Sequence, residues 1–126
     1  MIKHSQLSQS IEDYLEAIYM LEKDNKPIKS VAISHMIGVS KPAVTKAMSE
    51  LLKDNYIEKE PYGDIKLTEK GRNIAKKVYH IHTTIRDFLI QLGVDKEIAE
   101  KDCCLIEHVI SKETLVAIEN SLKKIN

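Results

Sequence analysis

Apolar side chains return every three or four residues along most of this chain, which marks out helices. Ile11, Leu15, Ile18 and Leu21, with Tyr14, make a first stripe, and Ser10 stands where a helix starting near Ile11 takes its cap. Asp24-Asn25-Lys26-Pro27 turns the chain. Val31, Ile33, Met36 and Ile37 predict a short helix from about Ser30 to Ile37, broken by Gly38-Val39-Ser40. Ser40 then caps a third helix with Pro42 in its first turn, where a missing N–H costs no hydrogen bond. Val44, Ala47, Met48, Leu51 and Leu52 give this helix a buried face as far as about Asp54. A short helix, a glycine break and a proline-led second helix form a helix-turn-helix.

The period then falls from 3.6 to 2. Tyr56-Ile57-Glu58-Lys59-Glu60 alternates, Pro61-Tyr62-Gly63-Asp64 turns and Ile65-Lys66-Leu67 returns, which predicts a β-hairpin. Placed directly after the helix-turn-helix, it is a wing. Thr68-Glu69 opens a long helix to about Leu92, with Ile74, Val78, Ile81, Ile85, Phe88 and Leu89 on one face and Gly71 leaving room for close packing near its start. Gly93 ends it. Val94-Asp95 starts another helix from about Lys96 to Ile110, and Ser111 caps a last one carrying Leu115, Ile118 and Leu122. The expected fold is mainly α with a small β-hairpin wing. Residues 1–70 make a winged helix-turn-helix and residues 71–126 a helical region, while residues 1–7, including His4, read as a loose arm. The long helix carries more apolar face than so short a chain readily covers, so part of it, with the helices that follow, is expected to form a homodimer interface, burial inside the monomer being the alternative.

Composition narrows the class. With 126 residues, 43% apolar and 30% charged, the chain suits one compact domain or two small lobes. No apolar run approaches the roughly 18 residues that span a bilayer, and MIKHSQLSQS lacks a signal-peptide core. A cytoplasmic protein with no membrane partner is expected. The net charge of zero hides an uneven distribution. Residues 38–86 hold 10 Lys/Arg against 6 Asp/Glu, a net of +4, while residues 87–126 hold 5 against 8, a net of −3. A basic middle meets phosphates and acidic ends meet cations.

The third helix leaves Lys41, Ala43, Thr45, Lys46 and Ser49 outward in its N-terminal half, where a recognition helix meets base edges and phosphates. Tyr62 and Lys66 on the wing either lie along the phosphate backbone or are simply exposed turn residues. Double-stranded DNA is therefore the expected partner, and a dimer would read a palindromic operator.

A second chemistry lies in Cys104-Leu105-Ile106-Glu107-His108. On a helix, residues three and four apart share a face, so Cys104, Glu107 and His108 offer a thiolate, a carboxylate and an imidazole together. That set suits a borderline transition metal. Asp13 and Glu16, at helical spacing on the first helix, are the natural source of further ligands. Cys103 adjoins Cys104, where a disulfide is rare and a reducing cytosol disfavours one. It sits about 100° round the helix and reads as a small buried residue.

At this point the chain resembles the diphtheria-toxin-repressor family of metal-dependent repressors, including its manganese-transport regulators. SIEDYLEAIYML at 10–21, GVSKPAVTKAM at 38–48, LTEKGR at 67–72, FLIQLGVD at 88–95 and CCLIEHVIS at 103–111 carry the resemblance. It implies a winged helix-turn-helix followed by a metal-binding and dimerisation region, repressing metal-ion homeostasis genes when metal is bound. It also implies His82 as a ligand, joining Glu107 and His108. Asp13 and Glu16 match manganese-type ligands, whereas Cys104 matches the iron-type cysteine. The implied cofactor is Fe(II) or Mn(II), with Co(II), Ni(II) or Zn(II) able to substitute. Where iron-type members place an ancillary carboxylate and histidine, this chain has Arg86 and Glu100, which argues against a second site of that type. Ser40, Pro42 and Lys46 carry over onto the recognition helix, although iron-type members commonly have glutamine at the last. The chain reaches Asn126, so a short form without an SH3-like domain is expected.

Three rivals stand beside this. One is a winged-helix DNA-binding regulator without a metal switch, responding to thiol oxidation. A small metalloenzyme is another, against which no nucleophile–base pair and no cofactor loop are found, so no enzyme is expected. The third is a winged helix that binds protein alone.

Overall fold

Local sequence sets most element ends in the computed structural model, which describes residues 8–61 and 63–125. Helix α1 runs Gln9–Lys23. Its cap is Ser8, whose Oγ accepts the Ile11 N–H at 3.2 Å, so the helix starts two residues before the Ser10-capped start expected. Ser10 becomes a first-turn residue. Helix α2, Ser30–Ile37, ends at Gly38, whose φ of +79° is the left-handed conformation that favours glycine. The Gly38 and Val39 N–H groups both donate back to the Ser34 carbonyl, closing the turn. Helix α3, Lys41–Lys53, is capped by Ser40, which accepts from the Ala43 N–H at 3.3 Å. Strands β1, Ile57–Lys59, and β2, Ile65–Leu67, pair antiparallel with Ile57 opposite Leu67 and Lys59 opposite Ile65. Helix α4 spans Glu69–Gln91, α5 Lys96–Ile106 and α6 Lys112–Ile125.

The described residues form two compact units that divide within α4, between Lys77 and Val78. The N-terminal unit is a winged helix-turn-helix. Leu15, Ile18 and Leu21 of α1 pack with Ile33, with Val44, Met48 and Leu51 of α3, and with Ile57, Ile65 and Leu67 of the hairpin. Leu52, expected on the buried face of α3, is exposed beside buried Leu51, and Val31 and Met36 are exposed because an eight-residue helix turns only its Ile33 side fully inward. Gly71 sits where a Cβ would collide with the Tyr56 carbonyl oxygen. That oxygen accepts the Thr68 N–H, so the first turn of α4 lies directly against the end of the α3–β1 turn. Arg72 grips the Glu22 carboxylate with Nε at 2.9 Å and Nη2 at 2.8 Å, which holds the Glu22 carboxyl below the usual range.

The C-terminal unit has its own core, in which Ile81, Ile85, Cys103 and Ile110 are buried, with Leu89, Ile106, Leu115 and Ile118 packed against them. Ser111 caps α6 as expected, its Oγ accepting the Thr114 N–H at 3.2 Å. Leu92, Ile98, Leu105, Val109 and Val116 of this unit stay exposed. No described helix is long and apolar enough to cross a membrane.

Candidate metal centre and nucleic-acid interface

The buried stripe of α4 passes through Val78, Ile81, His82 and Ile85, so His82 points inward by the same periodicity that sets the core. Helix α5 brings its own stripe to meet it. Glu100, Cys103, Cys104 and Glu107 recur at positions i, i+3, i+4 and i+7, one helical face. The helix proper stops at Ile106 rather than Ile110, but the Glu107 backbone is still right-handed helical at φ −57° and ψ −25°, and its N–H donates to the Cys103 carbonyl. Glu107 therefore keeps the face predicted for it, while the chain beyond turns off towards α6. The backbone is released there because Ser111 caps a new helix only five residues after Ile106.

The resulting cluster centres on His82. Its Nδ1 lies 3.1 Å from Glu107 Oε1 and 3.8 Å from Cys104 Sγ. Its Nε2 lies 2.9 Å from Glu100 Oε1. Cys103 Sγ is 3.5 Å from both ring nitrogens and 3.2 Å from the Glu100 carbonyl oxygen, to which it donates. Donor atoms of His82, Cys103 and Cys104 all fall within 4.8 Å of one another. Ligands about 2.0–2.3 Å from one ion stand about 3.3–3.8 Å apart in a tetrahedron; the 3.5 and 3.8 Å His82–cysteine separations lie in that range, while the 2.9 and 3.1 Å carboxylate contacts are hydrogen-bond distances. Imidazole, thiol and carboxylate together fit a borderline metal. His82 and Glu107 are buried, and burial pushes the Cys103 thiol well above its ordinary range. The half-buried Arg86 reaches Glu100 Oε2 from 3.9 Å.

The other expected ligands are distributed as follows. His108 is buried in the turn after α5, but is not in the group of donors that closes around His82 and the cysteines. Asp13 and Glu16 lie on α1 in the N-terminal unit, Asp13 half-buried and Glu16 buried. Glu12, to which no role was assigned, is also buried. His80, two residues before His82, is exposed and pairs with Glu119 at 3.0 Å. Sequence reasoning missed Glu100 and Cys103 as neighbours of His82. The four-residue stripe that contains both was the available signal.

On α3, Ser40, Lys41, Pro42, Thr45, Lys46 and Ser49 are exposed and Ala43 is half-buried. Thr45 Oγ1 donates to the Lys41 carbonyl and Ser49 Oγ to the Thr45 carbonyl, at 3.1 and 3.2 Å, which commits both hydroxyl hydrogens to the backbone of the helix. Lys66 on β2 is exposed and 3.4 Å from Glu60 across the hairpin. Tyr62 lies outside the described residues, as does the arm with His4.

Comparison with known proteins matches both units. A model of the iron-dependent repressor N-terminal DNA-binding domain matches residues 6–65, and one of that family's metal-binding and dimerisation domain matches residues 68–126. An HTH-type transcriptional regulator of Methanocaldococcus jannaschii is 40% identical over 120 residues, covering 94% of this chain and 96% of its own length. The transcriptional regulator MntR of Escherichia coli is 33% identical over 116 residues, covering 92% of this chain and 75% of its own. The solved structure of the manganese regulator SloR superposes with a TM-score of 0.79 at 28% identity over 90% of this chain. The chain spans about half of that structure, 53% of its length.

Proposed function

The chain belongs to the iron-dependent repressor family of metal-dependent transcriptional regulators, and from that premise we propose that it is a homodimeric, cytoplasmic repressor of metal-ion homeostasis genes. The observation that carries the metal dependence is the gathering of Cys104 and Glu107 on the Nδ1 side of buried His82. Residues 1–70 serve DNA and residues 71–126 serve metal and the second subunit. The exposed Leu92, Ile98, Leu105, Val109 and Val116 are the apolar surface that a dimer would cover.

His82, Cys104, Glu107 and His108 hold the ion, and Asp13 and Glu16 on α1 add hard oxygen donors. A bound divalent ion supplies positive charge and a fixed coordination geometry. The thiolate of Cys104 pulls towards Fe(II), Co(II), Ni(II) or Zn(II), whereas the carboxylates keep Mn(II) open, so Fe(II) or Mn(II) is the proposed resident metal. In this reading metal binding and operator binding are coupled. The coupling is reciprocal, and a value of about 1–3 kcal/mol makes a useful switch. Ser40, Lys41, Pro42, Ala43, Thr45 and Lys46 on α3 read the DNA, and Lys66 and Tyr62 follow its backbone from the wing. No catalytic role is assigned to any residue.

The test is DNA binding by chelated protein, titrated with Mn(II), anaerobic Fe(II) and Zn(II) on its own upstream region. Tightening on metal addition is expected, and the order of the ions identifies the cofactor. Equal binding with and without metal overturns the metal switch and leaves a winged-helix regulator whose cysteines respond to oxidation.

A further inference from the structure

The two nitrogens of the His82 ring face different chemistry. On the Nδ1 side stand Glu107 Oε1 and Cys104 Sγ, at 3.1 and 3.8 Å. On the Nε2 side stands Glu100 Oε1, at 2.9 Å, and Cys103 Sγ lies 3.5 Å from both nitrogens. The other Glu100 oxygen lies 3.9 Å from Arg86 Nη1. Arg86 is held in turn by Asp87, whose Oδ1 accepts from Nε and Nη2 at 3.2 Å each.

An imidazole binds a cation through one nitrogen, and the hydrogen on the other needs an acceptor to fix the ring. The Nδ1 side offers the thiol and buried carboxylate that a metal wants. The Nε2 side offers a carboxylate already facing a guanidinium, which does not lose its proton, and the Cys103 thiol is shared between both nitrogens at 3.5 Å. A cation placed between His82 Nε2 and Glu100 would meet that permanent positive charge at close range.

We propose that Glu100 is a positioning residue for the metal: it accepts the His82 Nε2 hydrogen and so aims Nδ1, as the ligating atom, at Cys104 and Glu107. Arg86, braced by Asp87, keeps the Glu100 carboxylate in place and occupies with fixed charge the space a second cation would need. The carboxylate–histidine–metal relay raises ligand basicity and selects one tautomer, effects typically worth about 10- to 100-fold in metal affinity. Glu100 is 44% exposed at its side chain, so its replacement leaves the buried core intact. This inference rests on the metal-dependent reading above.

The test uses the full chain with ¹⁵N-labelled histidine and Zn(II) as the probe. On zinc addition, the His82 Nδ1 resonance should take the metal-bound shift while Nε2 keeps its hydrogen. Glu100→Ala should weaken zinc binding by about 10- to 100-fold with unchanged circular dichroism. Glu100→Gln, which keeps an acceptor oxygen on the same stem, should recover most of the loss. Zinc on Nε2, or unaltered zinc affinity in Glu100→Ala, overturns the assignment and leaves the metal-dependent reading standing. Absence of any zinc binding by the wild-type chain overturns both. Because the resonance assignment is made on the wild-type chain, the inference stays testable even if a variant fails to fold.

Discussion

Glu107 Oε1 lies 3.1 Å from His82 Nδ1, and both side chains are buried. Removing the Glu107 carboxylate takes from buried His82 one of its polar partners at Nδ1, while Glu100, Cys103 and Cys104 stay beside the ring. Glu107→Ala should therefore lower the stability of the chelated protein by about 1–3 kcal/mol, read as a shift of the urea midpoint at constant slope. An unchanged midpoint would show that the contact contributes nothing to the metal-free fold.

Asp13→Ala and His108→Ala should each abolish the metal dependence of operator binding while preserving the far-ultraviolet circular dichroism. The expected loss is the coupling itself, about 1–3 kcal/mol or roughly 5- to 150-fold in DNA affinity between chelated and metal-loaded protein. Retention of the full metal response in both variants would remove these residues from the ligand set.

Lys41 and Lys46 are exposed on α3, and neither has a role in the core. If they meet phosphates, Lys46→Ala should weaken binding on all sequences alike and reduce the slope of log affinity against log salt by about 1. A change in base preference with the salt slope preserved would instead place Lys46 on a base edge.

The Glu22–Arg72 pair makes a prediction in pH. Arg72 holds the Glu22 carboxyl below its ordinary value of 4.5, so the folded state favours the charged form more than the unfolded state does. The resulting stabilisation is present above 4.5 and is lost as the pH falls through the lower, folded value. The difference in melting temperature between wild type and Glu22→Gln should thus be constant near neutrality and shrink in acid below pH 4.5. A difference that persists or grows in acid would contradict the assignment.

Gly71→Ala places a methyl group against the Tyr56 carbonyl oxygen, a backbone atom that is itself hydrogen-bonded and cannot swing aside. The α4 start and the hairpin must separate, at a cost of about 1–3 kcal/mol. Thermal denaturation of Gly71→Ala against a surface control such as Asn73→Ala measures it.

The sequence by itself determined the helices, the glycine break at Gly38, the Ser40 and Ser111 caps and the pairing of β1 with β2. Each depends on side chains within a few residues of one another, through periodicity, capping and turn chemistry. It also determined that Cys104 and Glu107 share a face, because spacing on one helix is enough. The family resemblance drew His82 to them. Tertiary structure alone decided what that face meets. Periodicity along α5 says that Glu100, Cys103, Cys104 and Glu107 point one way, but a contact with His82 joins positions 18 to 25 residues apart. That contact depends on how two helices pack, as does the exposure of Leu52, which periodicity placed on the buried face of α3. Local pattern identifies which residues stand together, and long-range packing chooses their partners.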